Sequence, residues 1–143
     1  MVKINPYLNF LGNTEEAFNF YKSVFGGEFK LLQRFKDTPE AGKVPEQDLE
    51  KIMHVALPIG NGSLLMGTDA LESVGHIIKM GDNISLSIDT ESEIEAKDIF
   101  NKLSVDGKIT MPLDKMFWGA YFGMLVDKFG IQWMVNFDEN QPK

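Results

Sequence analysis

Two stretches of the chain carry the same succession of apolar and polar positions. INPYLNFLGNTEEAFNFYKSVFGGEF begins at Ile4, and DNISLSIDTESEIEAKDIFNKLSVDGKI begins at Asp82. Each opens on a short alternating strand and passes through a turn rich in Asn, Thr, Ser and Glu. A helical stripe follows, and a glycine leads into another strand. Asn5 maps to Asn83 at an offset of 78, Ala17 to Ala96 and Tyr21 to Phe100 at 79, and Gly27 to Gly107 at 80. The drift fits single-residue insertions in turns.

In the first stretch Asn13 stands where it can cap a helix, with Glu16 three residues on. Ala17, Phe20, Tyr21 and Val24 follow at i, i+3, i+4 and i+7, one apolar stripe, and Gly26-Gly27 offers a left-handed stop. In the second, Thr90 with Glu93 or Ser92 with Glu95 begins the helix. Ala96, Ile99, Phe100 and Leu103 form its stripe, and Asp106-Gly107 ends it. Both stripes read as core. IMHVALPI and SLLMG flank Gly60-Asn61-Gly62, a hairpin signal because Asn-Gly supplies positive φ. AYFGMLV and IQWMVNF flank DKFG in the same way. Each half therefore predicts strand, helix, strand, strand, strand. Residues 37–50, DTPEAGKVPEQDLE, read as a charged loop, a mobile flap or an unstructured segment.

Alternation also assigns faces. Ile4, Leu8 and Phe10 oppose Asn5, Tyr7 and Asn9, while Ile84, Leu86 and Ile88 oppose Asn83, Ser85, Ser87 and Asp89. The two polar faces match and either line a concavity or meet water. His54 lies opposite Met53, Val55, Leu57 and Ile59, away from a helix-covered core. There it reads as a hydrogen-bonded wall residue, since a metal needs two to four convergent ligands. His76, in LESVGHIIKMGD, reads as incidental.

Composition narrows the classes. At 143 residues, one domain is the natural size. Apolar residues at 43% and charged residues at 24% exclude a disordered chain. With no cysteine there is no disulfide framework, thiol nucleophile or Cys-bound metal, and a reducing compartment is the default. The opening MVKINPYLNF has no leader pattern and no apolar run reaches membrane-spanning length, so a cytoplasmic protein away from membranes is expected. Fourteen basic against 21 acidic residues, net −7, argue against nucleic acid. That acidity serves solubility, or steers a cationic ligand. HxxxH, HExxH, GxSxG and GxGxxG are all absent, which leaves zincin, serine-hydrolase and dinucleotide readings without local support.

Three blocks resemble the PhnB-like branch of the vicinal-oxygen-chelate superfamily, which includes glyoxalases, extradiol dioxygenases, fosfomycin-modifying enzymes and bleomycin-sequestering proteins. They are YLNFLGNTEEAFNFYKSVFGGEF, MHVALPIGNGSLLMGTDA and MPLDKMFWGAYFGMLVDKFGIQWMVN, spanning about Pro6 to Asn136. The resemblance implies an α+β fold: two tandem βαβββ modules, about 1–75 and 80–143 of a single domain 1–143, with curled mixed sheets around a shared cavity and helices on the outer faces. It also implies a homodimer. Catalytic members of the superfamily hold a metal on the first and last strand of each module. Those positions fall near Asn5, at Asn83, near Met66 and at Met134. Amides and thioethers suit divalent Zn, Ni, Mn or Fe poorly, so no metal and no cofactor are expected.

The function implied is binding of a small molecule in a cavity lined by Asn5, Tyr7, Asn9, His54, Asn83, Ser85, Ser87 and Gln132, with Phe117 and Trp118 as aromatic walls. One alternative is a glyoxalase-type lyase, isomerase or transferase with one divalent transition metal at a relocated site using His54 and Asp89 or Gln132. Others are a sequestration protein for a cationic or aromatic compound, and a plain homodimeric interaction module. Ubiquinone methylation, an activity whose name is attached to such sequences, is not expected, because no glycine-rich cofactor loop follows a first strand.

Overall fold

A computed structural model of the chain describes residues 1–140 and divides it into two compact units, Met1–Lys79 and Met80–Lys143. The first contains β1 (Tyr7–Phe10), α1 (Thr14–Phe25), β2 (Leu31–Arg34), β3 (Ile52–Ile59) and β4 (Ser63–Asp69). The second contains β5 (Leu86–Asp89), α2 (Glu93–Leu103), β6 (Lys108–Lys115), β7 (Tyr121–Val126) and β8 (Gln132–Phe137). The sheets have the same order, β1-β4-β3-β2 and β5-β8-β7-β6. In both, the first strand runs parallel to the last and the other pairings are antiparallel. The fold is thus α+β, two βαβββ modules, as the repeat implies.

One face of each sheet packs on its helix. In the first unit Leu8, Phe10, Val55, Leu57 and Leu65 bury against Ala17, Phe18, Tyr21 and Val24. In the second Leu125, Trp133 and Val135 bury with Ala96, Phe100 and Leu103. The α1 stripe is turned from the expected one. Phe18 is fully buried and Phe20 only half-buried, because Thr14, Ala17, Phe18, Tyr21 and Val24 share the side facing the sheet. Gly67 of β4 leaves room for Phe18, since a Cβ there would stand 2.5 Å from the ring.

Local corrections have identifiable causes. Asn13 makes no side-chain cap. Asp69, at the end of β4, takes that role from 57 residues away: Oδ1 accepts from the Gly12 and Thr14 amides at 3.0 and 3.1 Å and from the Thr14 hydroxyl at 2.6 Å. Its Oδ2 accepts from the Ile52 amide at 2.8 Å, tying β3 to the same anion. In α2 the Ser92–Glu95 alternative holds, with Ser92 accepting from the Glu95 amide and Glu95 from the Glu91 amide. The hairpin after β3 places positive φ at Gly60 and Gly62, not at Asn61. Gly27 is left-handed as expected, but in the second unit Asp106 takes that conformation. Gly107 is needed for another reason, because a Cβ would collide with the Val126 carbonyl and Asp127 backbone.

Residues 37–50 are built rather than loose. They form two short 3-10 turns, Pro39–Lys43 and Glu46–Asp48, and Asp48 is buried. Its carboxylate receives Lys51 Nζ at 2.8 Å and the Ser73 hydroxyl at 2.5 Å. These partners hold it below the usual carboxylate range, Lys51 first and Ser73 second. Arg34 donates to the Glu50 carbonyl while gripping Glu15 of α1 through both guanidinium nitrogens, at 3.0 and 2.6 Å. Among the described residues no helix is long and apolar enough to cross a membrane.

Candidate functional site

The face of the first sheet turned away from α1 carries Tyr7 and Asn9 of β1. Their partners in register, Met66 and Thr68 of β4, share it, as does Ala56 of β3 opposite Met66. A bulge decides the rest. Gln33 pairs with His54 but Arg34 pairs with Ile52, so Met53 is an extra residue. Strict alternation would put Met53 with Val55 and Leu57. Instead Ile52 enters the core and Met53 joins the open face.

Over this face lies an open cleft of about 760 Å³, lined by Tyr7, Asn9, Met53, Thr68, Phe35 and the 76–79 segment, with Glu40 at its edge. The Tyr7 hydroxyl meets His54 Nδ1 at 2.9 Å, and the two rings stack with centroids 5.5 Å apart and planes 25° apart. Burial pushes the Tyr7 phenol above the usual tyrosine range, with the Thr68 side chain pulling the other way. The phenol is therefore protonated at neutral pH and donates to Nδ1 when the imidazole hydrogen sits on Nε2. A stacked aromatic pair with a polar edge beside an apolar wall is an arrangement that can orient an organic ligand.

The other sequence-assigned residues do not line this cleft. Asn5 lies before β1 and its Oδ1 accepts from the Leu64 amide at 3.2 Å, a backbone-tying role. Asn83 is exposed and lies three residues before β5, so it is not a strand residue, and Ile4 and Ile84 are exposed rather than core. Ser85 immediately precedes β5, and Ser87 lies on its open face opposite Met134. Gln132 donates to the Ile84 carbonyl at 2.8 Å. Asp89 accepts from Asn136 Nδ2 at 3.2 Å. Phe117 and Trp118 sit at the tip of the β6–β7 hairpin, packed edge to face at 4.9 Å, with Phe117 98% exposed. The small cleft of the second unit, about 210 Å³, is lined instead by Glu93, Lys115, Gly119, Tyr121, Phe137 and Glu139. There a hydrogen bond from Tyr121 lowers Glu93, and Glu93 in turn raises Tyr121.

His76, read as incidental, lines the first cleft, and its Nδ1 accepts from the Leu71 amide at 2.8 Å. Thr68 was within reach of sequence reasoning, since it alternates with Met66. Phe35 opens a further 3-10 turn, Phe35–Asp37, and Met53 sits at the bulge, and no periodicity announces either. Among the described residues no three His, Cys, Asp or Glu side chains come together as a metal site would require.

Two βαβββ units with open sheet faces define a protein of the glyoxalase/bleomycin-resistance/dioxygenase fold. That fold recurs in a glyoxalase/bleomycin resistance/dioxygenase family enzyme from Burkholderia phytofirmans PsJN, 15% identical, with TM-score 0.57 over 92% of this chain and 95% of that one. Residues 2–136 match the family described as 3-demethylubiquinone-9 3-methyltransferase, and the chain belongs to this PhnB-like family. It is 31% identical to Protein YjdN of Escherichia coli (strain K12) over 97% of both chains. Protein PA1353 from Pseudomonas aeruginosa is 37% identical, with TM-score 0.84 over 96% of this chain and 98% of that one. A putative 3-demethylubiquinone-9 3-methyltransferase, PhnB protein, from Bacillus cereus is 33% identical, with TM-score 0.75 over 95% and 99%.

Proposed function

We propose that this PhnB-like protein binds a small organic molecule in the cleft of its first unit, without the divalent metal that catalytic members of the superfamily use. The observation that carries this reading is the stacked, hydrogen-bonded Tyr7–His54 pair beside a cleft of about 760 Å³, within the size range of small-molecule sites. Tyr7 and Phe35 supply apolar surface, while Asn9, Thr68 and the Tyr7–His54 edge supply donors and acceptors. The ligand suited to this lining has a compact aromatic or apolar body and one polar group, such as a carbonyl. Where the superfamily places ligands on first and last strands, the register pairs Tyr7 with Met66 and Ser87 with Met134. A phenol, a hydroxyl and two thioethers do not fit a hard or borderline divalent ion.

Ligand-detected magnetic resonance with a panel of aromatic and carbonyl fragments tests the proposal. Hits are expected to weaken by roughly tenfold in Tyr7→Phe and His54→Ala, the scale of one lost hydrogen bond and its stacking. Hits that bind both variants like the parent would remove it. Elemental analysis after loading with Zn, Ni and Mn is expected to find no stoichiometric metal. One tightly held ion per chain would favour the lyase, isomerase or transferase reading. S-adenosylmethionine is expected not to bind, and saturable binding would restore a methyltransferase. We also propose a homodimer; sedimentation as a 16.1 kDa species at micromolar concentration would refute it.

A further inference from the structure

The open face of the second sheet carries a row of sulfur. Met134 of β8 stands opposite Met124 of β7, and Met124 stands opposite Met111 of β6, with Ser87 of β5 ending the row. Directly opposed strand residues share a face, with Cβ atoms about 4.5–5.5 Å apart. Met124 and Met134 therefore stand side by side, and Met111 is the β6 residue paired with Met124, at a point where β6 shifts register on either side of it. Met124 and Met134 are half-buried and Met111 is 39% exposed. Phe122 lies two residues from Met124 on the same face, its ring 6.2 Å from that of Trp118. Neither carboxylate nor imidazole belongs to the row. The matching row of the first unit runs Tyr7, Met66, Ala56, Leu31 and holds a single thioether.

A methionine surface has an ordinary use, as a pliant floor for apolar ligands. What separates this one from a scattered floor is its register. Two thioethers on neighbouring strands bracket a position between them, and the third flanks it. Thioethers are weak donors to Zn²⁺ or Mg²⁺ and good donors to soft ions. Neutral sulfur ligands leave a monovalent ion its charge, and the net charge of −7 favours a cation. We propose that Met111, Met124 and Met134 form a thioether site for a soft monovalent cation of the Cu(I) class, with Met124 at its centre. This site is separate from the first-unit cleft, and neither proposal depends on the other.

The test is an anaerobic titration of the full chain with Cu(I) against a chromogenic Cu(I) chelator. Ag(I) titrated into protein carrying labelled methionine methyl groups gives a second readout. One Cu(I) per chain is expected. Met124→Ile is expected to lower the affinity by about tenfold or more, as loss of a ligand does. Met66→Leu is expected to leave it unchanged. Ag(I) is expected to shift the methyl signals of Met111, Met124 and Met134 among the eight methionines. This measurement on the parent chain does not depend on any variant folding. Failure to withdraw Cu(I) from the chelator, an unaltered affinity in Met124→Ile, or shifts at other methionines would each overturn the proposal. Binding of apolar fragments to this face in place of either ion would do so too, leaving the row as a hydrophobic floor.

Discussion

In the first unit the N-terminus of α1 is held by Asp69, which arrives from the far end of β4 and also takes the first amide of β3. In the second unit α2 is capped by Ser92 from its own turn. The buried carboxylate of that unit, Asp127, serves a turn instead, accepting from the Phe129 and Ile131 amides and from the Trp133 indole. Two units with one topology thus use a buried anion for different purposes. The apolar pattern fixes the path of the chain, whereas the anion goes wherever several N–H groups would otherwise be left without an acceptor. One helix consequently depends on a distant strand and the other on its immediate neighbours.

The sharpest way to break this comparison is to remove the two caps separately. Asp69→Ala leaves three amides and a hydroxyl without their acceptor and is expected to cost about 3–5 kcal/mol. Ser92→Ala is expected to cost about 1 kcal/mol. Equal losses in denaturant titrations would mean that the distant carboxylate is no more than a local cap. Next in size come the glycines under the helices. In Gly67→Ala the new methyl meets the Phe18 ring at 2.5 Å and, less closely, the Leu8 carbonyl at 3.1 Å, whereas in Gly123→Ala it meets both Phe100 and the Leu113 backbone, 2.7 and 2.8 Å away. We expect about 2 and about 3 kcal/mol respectively, because a ring yields more readily than backbone. Melting temperatures in the reverse order would contradict that packing.

A smaller effect compares the helix exits. Gly27 has φ +82 with open space around it, so Gly27→Ala is expected to cost about 1 kcal/mol, from backbone strain alone. Asp106→Gly, relieving φ +58, is expected to gain a few tenths of a kcal/mol. If Asp106→Gly destabilises, the Asp106 side chain matters more than its backbone. The smallest effect is expected with pH. Asp48 is held below the usual carboxylate range by Lys51 and Ser73, so its contribution is complete above that range and is lost as pH falls through its folded value. Amide protection over residues 37–50, taken relative to the intrinsic exchange rate at each pH, should fall on acidification and should lose that dependence in Asp48→Asn. An acid-insensitive segment in the parent would show that Asp48 does not anchor it.

The sequence made legible what depends on neighbours in the chain. Both helices, both hairpins and the repeat follow from periodicity and turn chemistry, and the resemblance adds the paired modules. Of the first cleft, Tyr7 and Asn9 were readable from alternation, as was the face of His54, which stacks on Tyr7. What escaped depends on partners remote in sequence. Asp69 caps a helix 55 residues before it. The Met53 bulge follows from how β2 pairs with β3. Asn5 and Asn83 look like strand residues by alternation, but the ladders begin only at Tyr7 and Leu86. Met111, Met124 and Met134 share no simple spacing, and only the register gathers them into one row.

The parallel pairing of first and last strands has a consequence for how the chain emerges from the ribosome. Tyr7 waits for Met66, and Leu86 waits for Trp133. A growing chain completes the first sheet only once β4 has been made and the second only once β8 has been made. The first unit can therefore close while the second is still being synthesised, whereas the second must wait for its last strand. Contacts this far apart in sequence also slow the search for the native pairing. Until β8 has been made, β5 has no strand partner on either side, the kind of surface to which chaperones and neighbouring chains attach. Deleting only residues 132–137 would leave β5 permanently unpaired and send the product to aggregation or proteolysis.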